Sequence, residues 1–189
     1  MIFDSIIEIG KKMIGGKNPT FITFEAGPTH NGLDSAKKLA KLAVDAGADA
    51  IKFQILDAER LMADKKQIFE YKILINGEKN LTANKRESLY EILKRRSMLL
   101  NEWEELKIYC DTLNLCFFAT VAYEDEINFV KDIGCESIKI ASADVNYFEL
   151  IRKASNTGLS IQLDTGNSTI GEVEKAVEVV RESGNKKLI

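Results

Sequence analysis

Four short apolar runs each carry one charged side chain toward the C-terminal end: Glu25 in Phe21-Ile22-Thr23-Phe24-Glu25, Lys52 in Ala50-Ile51-Lys52-Phe53-Gln54, Lys139 in Ile138-Lys139-Ile140, and Asp164 in Ile161-Gln162-Leu163-Asp164. An ammonium inside an apolar strand is costly unless an anion meets it. Lys52 and Gln54 share one face of their run by the strand period of two. Lys139 repeats the pattern with the hydroxyl of Ser142 just beyond it, and Thr120 ends the run before. Two lysines accompanied by Ser and Thr suit a small phosphorylated or carboxylated ligand; the alternative is a lysine snorkelling at a strand end. Asp164 has two readings, an ion pair with Lys139 or an outward-facing cap on the helix that begins near Ser168-Thr169. The first run opens into the polar turn Gly27-Pro28-Thr29-His30-Asn31-Gly32. His30 reads as a loop histidine, and as the chain's one His it builds no multi-histidine metal site by itself.

These side chains meet only if the runs lie side by side, so the intervening elements decide the matter. Ser5–Ile9 and Met13–Ile14 read as a small hairpin ahead of the main fold. A helix capped by Asp34 carries Ala36, Leu39, Ala40, Ala43 and Val44 on one face and stops at Gly47. A strand follows over 50–55, and 56–86 reads as a polar functional loop or lid without further assignment. Asn101 and Glu104 suggest a capping-box start for a helix striped by Trp103, Leu106, Cys110 and Leu113. Strands at 115–121, 137–141 and 160–165 then alternate with helices at about 124–133, from Asn146-Glu149 to Gly158, and from Thr169-Glu172 to Gly184. Lys186–Ile189 reads as another strand beginning. This rhythm is that of repeated βαβ units around a parallel sheet. Charged side chains at strand ends are expected at the top of an α/β barrel. An eight-stranded (β/α)8 TIM-type barrel needs about 250 residues, so the expectation is a barrel truncated after about five and a half βα units. Residues 1–19 would form an N-terminal hairpin or extension and 20–189 the partial barrel.

Composition narrows the function classes. With 189 residues, 45% of them hydrophobic, the chain can bury one core. A net charge of -3 with intermixed signs gives no basic stripe for nucleic acid. Cys110, Cys116 and Cys135 sit in or beside apolar runs without metal-ligand spacing and read as buried reduced thiols, which points to the cytoplasm. No stretch approaches the roughly 20 apolar residues of a membrane helix.

Five motifs occur in an order that resembles the N-acetylneuraminate (sialic acid) synthase family over about residues 13–189: Glu25-Ala26-Gly27-Pro28-Thr29-His30-Asn31-Gly32, Gly47–Gln54, Glu87-Ser88-Leu89-Tyr90, Lys139-Ile140-Ala141-Ser142 and Thr165-Gly166. The resemblance implies a metal-dependent barrel that condenses phosphoenolpyruvate with an N-acylated amino sugar such as N-acetylmannosamine or a bacterial relative, releasing phosphate. It implies Glu25, Lys52 and Gln54 as catalytic residues, Glu25 handling a proton. Thr120, Lys139, Ser142, Asp164 and Asn31 would bind substrate. It further implies a divalent ion, Mn or Mg, with ligands expected beyond Ile189, a C-terminal antifreeze-like domain that is absent here, and a homodimer. Two alternatives are another phosphoenolpyruvate-dependent deoxy-sugar-acid synthase and a non-catalytic anion-binding remnant. The chain departs from the family pattern at Ala119-Thr120-Val121-Ala122, where Ser-Thr-Pro-Phe is usual, at Thr29, where Asn is common, and at Asp164, where the family carries Ser.

Overall fold

The computed structural model describes residues 2–189. In chain order the elements are β1 (Ile7–Ile9), β2 (Lys12–Ile14), β3 (Thr23–Gly27), α1 (Leu33–Asp45), β4 (Ala50–Gln54), α2 (Ala58–Leu61), β5 (Ile68–Asn76), β6 (Leu81–Ser88), α3 (Leu89–Lys94), α4 (Leu100–Thr112), β7 (Cys116–Val121), α5 (Glu124–Asp132), β8 (Ser137–Ile140), α6 (Phe148–Ser155), β9 (Ser160–Leu163) and α7 (Ile170–Glu182). β3, β4, β7, β8 and β9 form one parallel sheet in that order. Leu188 bridges in parallel to Ile161, and the Ile189 amide donates to the Ile161 carbonyl at 2.8 Å, so a sixth strand begins as the sequence suggests. Within the described residues the sheet is open, with β3 at one edge and 187–189 at the other.

The sheet has two unlike faces because apolar and polar residues alternate along its strands. Ile51, Phe53, Phe117, Ala119, Ile138, Ile140 and Ile161 are buried against the helices, where they meet Ala36, Ala40, Trp103, Leu106, Ile127, Leu150 and Val180. Each fully buried large side chain of this kind contributes roughly 1.5–3 kcal/mol. The opposite face takes Glu25, Lys52 and Gln54 from β3 and β4, then Thr120, Lys139 and Gln162 from β7, β8 and β9. One set of strands therefore makes both the core and the site.

Helix starts differ from the sequence reading where glycine or a loop residue outcompetes the expected cap. α1 begins after Gly32, not at Asp34: Gly32 has φ +93°, and its carbonyl accepts from the Ala36 amide at 3.1 Å. That left-handed backbone favours a residue without Cβ. Asp34 instead lies in the first turn, where its charge complements the helix dipole. α4 begins after Leu99, with the Glu102 carboxylate accepting from the Leu99 amide at 2.7 Å, two residues ahead of the Asn101-Glu104 pairing. α6 begins after Tyr147, one residue past Asn146, without a side-chain cap among the described residues; a 3₁₀ turn at Ser142–Asp144 precedes it. The start at Thr169 and Glu172 is as expected, each side chain bonding the other's backbone amide.

The segment 56–86 is more ordered than a loop. Asp57 caps α2 by accepting from the Glu59 amide at 2.9 Å, and β5 and β6 then pair antiparallel as a long hairpin. Glu87 fastens its base. Arg95 reaches the Glu87 carboxylate at 2.7 and 3.0 Å, Lys85 lies at 3.2 Å, and the Tyr71 hydroxyl donates to it. Chiefly because of Arg95, then Tyr71, the Glu87 carboxyl is lowered to about 2. A carboxyl held below its unfolded value stabilises fully above that value and loses the effect as pH falls through the folded one. The hairpin base should therefore loosen as pH drops from about 4.5 toward 2, seen as loss of its cross-strand nuclear Overhauser contacts. Glu87→Gln should remove that transition, and its survival in the variant would assign it elsewhere.

At the opposite end of the strands, β1 and β2 form the expected hairpin, with Ile7 and Ile9 buried. The Gly10 amide donates to Glu136 at 2.6 Å, Lys12 pairs with Asp49, and Asp49 also accepts from the Ile22 amide at 2.7 Å. The Asp4 amide reaches the Lys186 carbonyl at 2.9 Å. Cys110, Cys116 and Cys135 are free, and burial pushes each thiol up to about 12, leaving them protonated and unreactive. No helix is long and apolar enough to cross a membrane among the described residues.

Candidate active site

The sheet register assembles the site in two levels. Glu25 lies opposite Lys52, and one level higher Gln54, Thr120, Lys139 and Gln162 run across four neighbouring strands. Lys52 is 5% exposed and Thr120 4% exposed, so both are fixed by packing. The Lys52 ammonium lies 2.7 Å from Glu25 Oε2 and donates to Thr120 Oγ1 at 3.2 Å. Lys139 lies 3.8 Å from the same Glu25 oxygen and 2.6 Å from Asp164 Oδ2. Of the two readings of Asp164, the pair with Lys139 is the one observed, and the α7 start is capped by Thr169 instead.

Burial lowers the Lys52 ammonium below the usual lysine range, opposed by its contact with Glu25. The carboxylates are the accessible members: the Glu25 side chain is 56% exposed and that of Asp164 49%, against 16% for Lys139. A buried and a partly buried cation under two solvated anions form a site whose positive charge is built in and whose negative charge can move.

The remaining expected residues fall into two groups. Ser142 is half-buried on the turn after β8, close enough that a Cβ on Gly166 would stand 3.5 Å from its Oγ, so it borders the loop after β9. Gln54 points to the site by register but makes no side-chain hydrogen bond among the described residues. Asn31 is exposed on its turn, and no hydrogen bond joins it to the lysine cluster among the described residues. His30 lies in the loop between β3 and α1, as expected, but is fully buried there, edge-on to Trp103 at 5.4 Å and Phe53 at 5.8 Å between ring centroids. Its Nδ1 accepts from the Gly32 amide at 3.4 Å, and burial, with Arg96 nearby, holds the ring neutral by lowering its pKa. It anchors the turn after Glu25 rather than facing a ligand.

Gln162 went unread in the sequence, although the alternation Ser160, Gln162, Asp164 marks a polar inward face. It sits level with Lys139, and its amide donates to Ser137 Oγ at 2.7 Å. At the rim, Arg60 forms a two-pronged pair with Asp125 at 2.7 and 2.9 Å and stacks 3.6 Å over the Tyr123 ring. No group of three or more His, Cys, Asp or Glu side chains among the described residues is arranged to hold a metal ion.

The chain is similar to an uncharacterised Methanocaldococcus jannaschii protein, MJ1065, with 33% identity over 184 residues, 97% of this chain and 48% of that protein. The N,N'-diacetyllegionaminic acid synthase of Campylobacter jejuni is 30% identical over 169 residues, 89% of this chain and 48% of its own. The chain thus spans about half the length of these curated relatives. Among solved structures, the N-acetylneuraminic acid synthetase of Leptospira borgpetersenii, crystallised with citrate, superposes with a TM-score of 0.80 at 30% identity, covering 98% of this chain and 58% of that one. The truncated 3-deoxy-D-arabino-heptulosonate 7-phosphate synthase of Thermotoga maritima matches at a TM-score of 0.64 and 20% identity, a likeness of fold. The NeuB family model matches residues 39–189, a span that includes Lys52, Thr120, Lys139, Ser142 and Asp164, and the chain belongs to the NeuB family.

Proposed function

We propose that this chain forms the phosphoenolpyruvate-binding part of a nonulosonic acid synthase, which joins phosphoenolpyruvate to an N-acylated amino sugar and releases phosphate. The observation that carries this reading is the pair of lysines on β4 and β8 sharing the Glu25 carboxylate, with Thr120 and Ser142 beside them at the C-terminal ends of a parallel sheet. Relatives at 25–30% identity include synthases of legionaminic, pseudaminic and N-acetylneuraminic acid-9-phosphate products, which support the product class and leave the sugar open.

In this reading Lys52 and Lys139 hold the carboxylate and phosphate of phosphoenolpyruvate, and the Thr120 and Ser142 hydroxyls orient them. Carbon 3 of the enol attacks the sugar aldehyde, forming the carbon–carbon bond. Water adds at carbon 2, and phosphate departs as the keto group forms. Glu25, at hydrogen-bond distance from Lys52, accepts a proton from the attacking water or delivers one to the sugar oxygen. The donor set for the divalent ion expected from the family is not assembled by residues 2–189; their one histidine is packed against Trp103 and Phe53.

The test is phosphate release by the gene product carrying this chain, given phosphoenolpyruvate with N-acetylmannosamine or diacetamido-trideoxyhexoses, with added Mn or Mg. Release that depends on one of these sugars is expected. Release only with phosphorylated aldoses that carry no N-acyl group, or none at all, would overturn the reading.

A further inference from the structure

The protein supplies both site lysines with counter-charge. Glu25 lies 2.7 Å from Lys52 and 3.8 Å from Lys139, and Asp164 completes the set at 2.6 Å from Lys139. Asp164 is held there by the sheet: its amide donates to the Ile140 carbonyl at 3.1 Å, continuing the β8–β9 ladder one residue beyond β9. It follows Gln162 by two residues, so it keeps the inward phase that Gln162 shares with Lys139. Its side chain is 49% exposed, at the mouth of the site.

A carboxylate fixed at its backbone, solvated at its tip and paired with a partly buried cation is placed to be exchanged. A monoanionic ligand entering at Lys139 replaces one single charge by another and gains little. A ligand with two or more negative charges can engage Lys139 and Lys52 together while Asp164 turns to water. We propose that Asp164 is a resident counter-anion of Lys139 that incoming ligand displaces, and that it makes the site select phosphoryl dianions over carboxylate monoanions. The inference deepens the proposed function, resting on that reading for the ligand's identity in the cell, whereas its binding test does not depend on turnover.

The test uses inorganic phosphate and acetate at constant ionic strength, titrated calorimetrically into the 189-residue chain, into Asp164→Asn and into Asp164→Ser. The unchanged chain should favour phosphate by about tenfold or more. Either variant should bind both anions more tightly, acetate gaining most, so that the preference falls to about threefold. Adding Lys139→Met to Asp164→Asn should cancel the gain. Should Asp164→Asn unfold, Asp164→Ser carries the same comparison. Weaker or unchanged phosphate binding, an unaltered preference, or a gain that survives Lys139→Met would each overturn the proposal. Altered preference in a protein without phosphate release would sustain the inference and end the synthase reading, and the converse result would do the reverse.

Discussion

Under the proposed function, replacing Lys52 with Met is expected to weaken phosphoenolpyruvate binding by about a hundredfold or more in affinity, while leaving the protein at least as stable as before. The two halves of this result have separate origins. Lys52 is 5% exposed and is the best-fixed cation of the site, held by Glu25 at 2.7 Å and donating to Thr120 at 3.2 Å. No neighbouring side chain can take over its position, because the next strand offers Phe118 at that level. On the stability side, burial is the first cause that lowers the Lys52 pKa, so folding works against its charged form. A folded value below the unfolded one means that the unfolded chain binds more protons, and stability rises with pH between the two values. At neutral pH the protein bears this cost, and Met removes it, as apolar replacements of buried ion pairs often do. Glu25 is left largely in water with Lys139 still 3.8 Å away, so little is stranded. Urea melts should place Lys52→Met between no change and about 1 kcal/mol more stable at pH 7, with its advantage shrinking as pH rises toward 10. A loss of more than about 2 kcal/mol would show that Lys52 is structural.

Trp103→Ala should be the most damaging change in the core, costing about 3–5 kcal/mol. Trp103 is 1% exposed and stands at the junction of α4 with the sheet, with Phe53, His30 and Phe117 at 5.8, 5.4 and 6.5 Å between ring centroids. Truncation leaves a cavity walled by rings that cannot collapse into it, and it frees His30, which holds the turn after Glu25. Against a total stability of about 5–15 kcal/mol for a domain, such a loss broadens or abolishes the unfolding transition. Trp103→Phe separates packing from polarity. The indole Nε1 has no hydrogen-bond partner among the described residues, so Phe discards an unsatisfied donor along with part of the volume. Its expected cost is under about 2 kcal/mol, and equal costs for the two variants would contradict the cavity account.

The alternation of strands and helices was legible because β-branched runs, helical stripes and terminal glycines agreed. Gly47, Gly134, Gly158 and Gly184 each follow a helix with φ between 75° and 84°. The gathering of Glu25, Lys52, Thr120, Lys139 and Asp164 was legible too, since each charge interrupts an apolar strand near one end. Where the reading went astray, tertiary context overrode a local signal. Asp34, Asn101 and Asn146 all have cap chemistry, but helix starts follow from where the chain leaves the preceding strand. In the β5–β6 hairpin, Phe69, Tyr71 and Ile73 do alternate with the polar Glu70 and Lys72, but the partner strand carries Asn84, Lys85, Arg86 and Glu87, so the segment as a whole reads as polar, and the hairpin leaves most of both strands exposed. His30 was read from its polar neighbours, whereas its surroundings come from β4 and α4.

The bond between the Asp4 amide and the Lys186 carbonyl joins residues far apart in sequence, and this bears on the order in which the fold assembles. Each strand of the main sheet pairs with the strand synthesised before it, so βα units can be laid down one after another as they leave the ribosome. The N-terminal hairpin cannot follow that schedule. Its Gly10 contact needs Glu136, and its anchor at Asp4 needs Lys186, so these residues wait for partners made well after the strands beside them. A nascent chain halted before Lys186 can hold most of its sheet while the base beneath it still lacks that anchor.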